Sequence, residues 1–128
     1  MSDLLYTVEF PQPNRPLSIN EANRLHWATK KRRLDPWGPS LVLAWRLAGH
    51  KVVEPVPVIV KVCFSFDRNA RRDPHNYTGT VVKKIIDTLV RDCHLIPDDI
   101  GVWLSVVDPT LDVNKTNTCI VNIYRRPQ

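Results

Sequence analysis

Long apolar segments are missing from this sequence of 128 residues. No run approaches the roughly 20 consecutive apolar residues that a membrane-spanning helix needs. The first four residues, Met-Ser-Asp-Leu, also lack the charged start and the apolar stretch of a secretory signal peptide. We therefore expect a protein that associates with no membrane and stays in the cytoplasm of the cell that makes it.

Cysteine is scarce. Cys63, Cys93 and Cys119 are odd in number and widely spaced, so they form neither a disulfide framework nor a CxxC zinc pattern. All three lie within or beside apolar segments. We expect them to be buried free thiols in a reducing compartment.

Internal repeats, low-complexity segments and linkers are absent too. A chain of this length can bury one hydrophobic core and has no room for a second. The hydrophobic fraction of 43% predicts a packed fold rather than disorder. We expect a single domain that spans residues 1–128.

Positive charge, in contrast, is abundant. The formal net charge is +5, which favours a polyanionic partner. Lys30, Lys31, Arg32 and Arg33 form one uninterrupted cluster, and Arg71 and Arg72 form a second. A localisation signal or a merely solvated surface remains an alternative for the first cluster.

The hydrophobic pattern predicts four strands and two main helices. Strands are expected at residues 4–10, 56–66, 102–107 and 118–124. One helix is expected to start with Asp35 as its N-cap and to end near Gly49, and a second covers residues 78–92. An S-x-x-E capping box at residues 18–21 indicates a further helical turn.

This order, β-α-β-α-β-β, predicts an α+β (mixed α/β) fold with an about four-stranded mixed sheet. The helix between the second and third strands allows those two strands to lie parallel. The short connection between the last two strands predicts an antiparallel hairpin.

Acidic residues follow two of these elements. Asp73 comes after the long second strand, and Asp98 and Asp99 form a turn after the second helix. Magnesium prefers oxygen ligands, and such an ion activates water and offsets charge in phosphodiester hydrolysis. By themselves, however, acids in these positions are usually an ordinary turn and a helix N-cap.

The neighbours of Asp73 favour the catalytic interpretation. Residues 71–76, Arg-Arg-Asp-Pro-His-Asn, bring two cations, an acid, an imidazole and an amide together. Pro74 holds Asp73 out of the α region, and a phosphate backbone over a metal would favour the arginines. Lys83 and Lys84 follow on the next helix, either near the scissile phosphate or on a solvated face with Lys83 paired to Asp87.

The ordered combination of these motifs resembles the RusA family of Holliday junction resolvases. The resemblance rests on residues 71–76, on Lys83, on Asp-Thr-Leu-Val at 87–90 and on Leu-Ile-Pro-Asp-Asp at 95–99. Pro-Leu-Ser-Ile-Asn at 16–20 and Arg-Leu-His-Trp at 24–27 are similar to the N-terminal elements of the family. It implies a homodimeric, Mg²⁺- or Mn²⁺-dependent endonuclease that nicks four-way DNA junctions symmetrically, often encoded by phages or prophages.

The resemblance also assigns roles to residues. It implies catalytic roles for Asp73, His75, Lys83 and Asp99, and metal ligation by Asp73, His75, Asp98 and Asp99. The expected DNA-binding residues are Asn20, Arg24, His26, Lys30, Lys31, Arg32, Arg33, Arg71, Arg72, Asn76 and Lys84.

Two departures from the family pattern leave alternatives open. His75 stands where the family has a second acid, so it is a ligand better suited to manganese than to magnesium, or a general base. Extra sequence at residues 77–82 makes Lys84 a rival to Lys83. A catalytically silent DNA-binding protein and, less favoured, a metal-dependent enzyme acting on small nucleotides are the competing hypotheses.

Tryptophan is expected mainly in the core or in a dimer interface. A wedge at the crossover of a DNA junction is the alternative role. The residues concerned are Trp27, Trp37, Trp45 and Trp103.

Overall fold

Five strands and several helices make up the described part of the chain, residues 3–113 and 116–127 of a computed structural model. Residues 1–2, 114–115 and 128 lie outside it. The strands are β1 (Leu4–Pro11), β2 (Val58–Ser65), β3 (Leu104–Val106), β4 (Thr110–Asp112) and β5 (Thr118–Arg125). The α-helices are α1 (Ile19–Ala22), α2 (Trp27–Leu34), α3 (Trp37–Leu47) and α4 (Lys83–Arg91), and α4 is preceded by a 3₁₀ helix (Pro74–Tyr77) and a π-helix (Thr78–Val82).

The sheet confirms the mixed α+β fold, with five strands in the order β1-β5-β2-β3 and β4 also paired to β2. Strand β5 is antiparallel to both β1 and β2, while β3 and β4 are parallel to β2. Strands β3 and β4 lie along successive parts of β2, so together they form one edge strand interrupted at residues 107–109. The parallel pairing of β2 with β3 is as predicted.

The predicted hairpin of the last two strands is wrong. After β3 the chain continues along the same edge of β2 as β4 and then crosses to the other side of β2. There β5 pairs on both of its edges and buries Cys119, Val121 and Ile123. A hairpin with β3 would have left β1 without this partner, and unpaired backbone groups are costly when buried.

Alternation along β2 and the apolar stripe of α4 build the core as predicted. Val58, Val60, Val62 and Phe64 of β2 are buried. The apolar residues of the second predicted helix pack in the same core, and they are Val82, Ile85, Ile86 and Leu89. The spacing of apolar residues, every second residue in the strand and about every 3.6 residues in the helix, thus identified the inward faces of these elements.

Asp35 does not act as the predicted N-cap of α3. It is the C-cap of α2, with helical φ and ψ of −56° and −41°, whereas an N-cap residue is extended. Its carboxylate accepts a hydrogen bond from the Lys31 Nζ at 2.8 Å, and this bond lowers the pKa of Asp35. The reason is helix α2, which the apolar pattern did not reveal because none of its residues is buried.

Gln12 joins the ends of β1 and β2. Its buried side-chain Nε2 donates to the Ser65 carbonyl oxygen at 2.9 Å, and the Ser65 backbone N–H donates to its Oε1 at 2.9 Å. The Gln12 backbone N–H donates to the carbonyl oxygen of Asn117. A side-chain amide therefore continues the hydrogen bonding of β2 beyond the last residue that β5 pairs.

Cysteine and tryptophan behave largely as expected. Cys93 and Cys119 are buried free thiols, and Cys63 is half-buried. Three of the tryptophans are buried or half-buried, and Trp27 is 68% exposed. No helix in the two described ranges is long and apolar enough to cross a membrane.

Candidate active site

The loop after β2 is organised by Arg72. Its guanidinium lies over the ring of Phe66, 3.9 Å from the centroid, and its Nη1 donates to the Arg68 carbonyl oxygen at 2.9 Å. A cation over an aromatic face is an electrostatic attraction, so Arg72 shapes the loop as well as charging it. Its neighbour Arg71 is exposed.

Asp73 occupies the extended position before the 3₁₀ helix. Its φ of −102° and ψ of 118° are those that a following proline requires. Its side chain makes no cap hydrogen bond and is 54% exposed, so the carboxylate faces solvent. An open cleft of about 440 Å³ lies beside it, lined by Arg71, Arg72, Asp73, Pro74 and Asn76.

His75 stands between two carboxylates. Its Nε2 is 3.3 Å from Asp73 Oδ1, and its Nδ1 is 3.6 Å from Asp108 Oδ2. All three side chains are more than half exposed. The longer distance is within ion-pair range but exceeds a hydrogen bond, so the three side chains form a loose group at the surface.

Asp108 was missed by the sequence-based reasoning. It lies in the interruption between β3 and β4, on the edge strand beside β2. The sequence indicates only a polar loop before Pro109, and no local signal connects it with His75. Only the parallel pairing along β2 brings this loop next to Asp73.

Asp98 and Asp99 lie before β3, in a local turn where the Asp99 backbone N–H donates to Asp98 Oδ1 at 2.8 Å. Strand β3 begins beside Val58, where β2 also begins, whereas Asp73 follows the end of β2. The fold groups Asp73 with His75 and Asp108, and neither Asp98 nor Asp99 forms an ion pair with His75 within the described residues.

The donor set suits a metal ion only in part. No group of three or more His, Cys, Asp or Glu side chains in the described ranges is arranged to hold an ion. Asp73 and Asp108 nevertheless supply carboxylate oxygens on either side of the His75 ring. Magnesium commonly uses one or two protein carboxylates together with water and substrate phosphate.

The two candidate lysines point to different partners. Lys83 Nζ is 3.5 Å from Asp87 Oδ1, in the i,i+4 pair that the sequence allowed. Lys84 Nζ is 3.7 Å from Asp35 Oδ1, which directs it toward the junction of α2 and α3. The extra sequence at 77–82 forms much of the π-helix before them. Neither lysine has a recorded ion pair with the Asp73 group in the part of the chain that the structure describes.

Buried contacts hold the 3₁₀ and π-helices against the N-terminal segment. Tyr77 packs against the rings of Phe64 and Phe66, and burial raises the pKa of Tyr77. Thr80 donates a hydrogen bond to the carbonyl oxygen of Leu17. Helix α1, which carries Asn20, contacts both helices, so the N-terminal motif lies beside the Asp73 loop.

The basic cluster is displayed on helix α2. Glu21 pairs with Arg33 at 3.3 Å and with Arg15 at 2.9 Å, which fixes α2 next to α1. Lys31 pairs with Asp35, while Lys30 and Arg32 have no recorded ion pair with a described residue. The other predicted DNA-binding residues of this segment, Asn20, Arg24 and His26, are exposed.

Comparison with known proteins identifies no relative. No family model matches the chain, and a search of curated proteins finds no match. The resemblance to the RusA family therefore rests on the motifs alone and supports a proposal about function.

Proposed function

We propose that the protein is a metal-dependent endonuclease that resolves branched DNA, as a RusA-type Holliday junction resolvase. The observation that carries the proposal is the exposed group of Asp73, His75 and Asp108, which adjoins a cleft lined by Arg71 and Arg72. Carboxylates beside arginines suit a phosphodiester that approaches together with a divalent ion. An enzyme of this kind would act on DNA in the cytoplasm of a bacterial cell.

Each residue of the group has a role in this proposal. Asp73 and Asp108 would hold Mg²⁺ or Mn²⁺ with their carboxylate oxygens, and such an ion would supply activation of water and neutralisation of charge on the phosphate. Arg71 holds the phosphate backbone in the cleft. His75, which lies between the two carboxylates, would add a nitrogen ligand to the same ion. Asp108, rather than Asp99, is the second carboxylate.

The charge distribution supports a large anionic substrate. Exposed cations lie in the loop after β2, at Arg24 and on helix α2. Helix α1 contacts the 3₁₀ and π-helices that follow the loop, and Glu21 of α1 pairs with Arg33 of α2. A four-way junction has four duplex arms and needs a wide positive surface, whereas a mononucleotide does not. A homodimer would place two such sites around a two-fold axis, one for each strand that is cut.

The test compares cleavage of a fixed four-way junction and a matched linear duplex in Mg²⁺, Mn²⁺ or chelator. We expect paired symmetric nicks on the junction only, and none in chelator. Asp73→Asn should reduce cleavage about a hundredfold or more while junction binding is retained, because the ion and not the DNA contact is lost. Asp92→Asn, which changes an exposed acid at the C-cap of α4, is the matched control and should cleave normally.

Two further variants test whether Asp108 or Asp99 is the second carboxylate of the site. Asp108→Asn should impair cleavage nearly as much as Asp73→Asn, and Asp99→Asn should impair it less. The reverse order would show that the grouping around His75 is not the active site. Absence of nicks with every metal, together with absence of junction binding, would refute the proposal altogether.

A catalytically silent junction-binding protein is the second candidate. The position of the His75 ring favours it, because the ring stands between the carboxylates that would share an ion. Tight, salt-sensitive junction binding without cleavage in any metal is the result expected of that protein.

A further inference from the structure

Trp27 is an exposed aromatic residue that the proposed chemistry leaves unexplained. Its side chain is 68% exposed, whereas every other Trp, Tyr and Phe of the described chain is buried or half-buried. Helix α2, which begins with Trp27, contributes no buried residue to the core. Packing within the protomer therefore does not account for a large apolar ring at this position.

The surroundings of Trp27 are ordered. The preceding residue, His26, is the N-cap of α2, and its Nδ1 accepts a hydrogen bond from the Ala28 backbone N–H at 3.2 Å. The His26 and Trp27 rings lie side by side, with centroids 5.5 Å apart and an angle of 36° between their planes. Because Nδ1 is an acceptor, the proton of the neutral ring is on Nε2, which is then a donor.

The other end of α2 is fixed as well. The Asn14 Nδ2 donates to the Arg33 carbonyl oxygen at 2.9 Å, and the Arg33 guanidinium pairs with Glu21. The helix therefore presents the two rings at a defined place beside α1 and is not a loose segment.

Cations share the face of Trp27. Lys30 and Lys31 follow it by three and four positions on α2, the spacing of neighbours on one side of a helix. Lys31 is paired with Asp35, but Lys30 has no recorded ion pair with a described residue. Arg24, exposed, precedes the two rings. An aromatic plate flanked by cations matches the combination of base stacking and phosphate attraction that binds single-stranded DNA.

We propose that Trp27 and His26 form a stacking platform for an unpaired base of DNA, with the adjoining phosphates held by Lys30 and Arg24. Bases inside a duplex are stacked on each other and cannot reach such a surface, whereas bases at a branch point or a strand end can. The platform thus selects DNA with unpaired bases. This inference rests on the proposed action on branched DNA, and it names Trp27 as a residue that would recognise that DNA.

Binding measurements in chelator test the platform separately from cleavage. Fluorescence anisotropy compares an oligothymidine strand, a four-way junction and a covalently closed, relaxed duplex circle, which has no strand ends and no unpaired loop. Trp27→Ala should weaken binding to the oligothymidine by about five- to 150-fold, and to the junction in the same direction, with little change for the closed duplex. Trp27→Phe should retain most of the affinity, because phenylalanine also offers a ring for stacking.

Leu47→Ala is the matched control. Leu47 is 79% exposed at the end of α3 and carries no ring, so its removal should change none of the three affinities. A second readout is photocrosslinking of a strand that contains 5-iodouracil, in which the crosslinked peptide should contain Trp27. Thermal unfolding of both variants should match the wild type.

Three results would overturn the platform. Unchanged oligothymidine binding in Trp27→Ala would do so, as would an equal loss on closed duplex. The third is a fall in oligomeric state on sedimentation, which would show that Trp27 contacts a second copy of the chain instead. The two proposals can fail separately. If the protein never cleaves DNA but Trp27→Ala weakens oligothymidine binding, the platform stands and the nuclease proposal fails. If the protein cleaves junctions and Trp27→Ala leaves oligothymidine binding unchanged, the nuclease proposal stands and the platform fails.

Discussion

At the scale of single residues, His75 determines which ion the proposed site would prefer. The imidazole lies between the carboxylates of Asp73 and Asp108. Nitrogen is a poor ligand for magnesium and an acceptable one for manganese. We therefore expect the wild-type protein to cleave junctions faster in Mn²⁺ than in Mg²⁺.

His75→Asp should reverse this preference. A third carboxylate beside Asp73 and Asp108 adds a hard oxygen donor and removes the nitrogen, so the ratio of Mg²⁺- to Mn²⁺-supported cleavage should rise about tenfold or more. Initial rates of junction nicking over a range of each metal measure the ratio. His75→Asn, which has similar size but no added charge, should not raise it, and an unchanged ratio in His75→Asp would place His75 outside the metal site.

At the scale of elements, the end of β2 depends on a side chain for its hydrogen bonds. Gln12 supplies a donor and an acceptor to the backbone of Ser65, next to a pocket of about 280 Å³. The loop that carries Asp73 begins just beyond this point. The stability of the strand end and the position of the loop are thus linked.

Gln12→Met should lower the free energy of unfolding by about 1–3 kcal/mol, because it removes both bonds to Ser65 at similar side-chain volume. Urea denaturation with an unchanged slope is the measurement. Thr7→Val, on the adjoining strand β1, is the control, since it removes only the exposed bond from Thr7 Oγ1 to Asn122 and should cost less than about 0.5 kcal/mol. Equal effects of the two substitutions would contradict the role given to Gln12.

At the scale of the whole molecule, burial of the thiols makes the free energy of unfolding decrease at alkaline pH. Burial raises the pKa of Cys93 to about 11, and burial together with the Asp112 carboxylate raises the pKa of Cys63 to about 11. Burial also raises the pKa of Cys119 well above the ordinary 9.0. Between pH 9 and 11 the unfolded chain therefore releases protons that the folded chain keeps.

The free energy of unfolding should consequently be unaffected by these thiols below pH 9 and fall as the pH rises from 9 towards 11. Urea denaturation at steps between pH 8 and 10.5 measures the decline. Cys119→Ala should be less stable at pH 8 but lose less stability per pH unit, because one buried thiol is gone. A flat profile in the wild type would contradict the raised pKa values.

Much of the fold could be predicted from the sequence because its signals are local. The alternation along β2, the apolar stripe of α4 and the extended Asp73 before Pro74 each follow from neighbouring residues. The predicted N-cap Ser18 also forms, with its Oγ accepting from the Glu21 backbone N–H, whereas the Glu21 carboxylate binds Arg15 and Arg33 instead of closing the capping box. Helix α2 escaped prediction because an unburied helix has no apolar stripe to detect.

Long-range placement was decided by the tertiary structure alone. The sequence identified Asp73, His75 and the basic cluster as chemically important, since their side chains define what they can bind. It did not identify Asp108, and it did not settle whether Asp99 joins Asp73. Both depend on strand pairing: the parallel arrangement of β2 with β3 and β4 puts Asp108 beside His75, and it leaves Asp99 before the start of β3. Strand pairing is a contact between segments far apart in the chain, so it cannot be predicted from the residues next to Asp99 or Asp108 in the sequence.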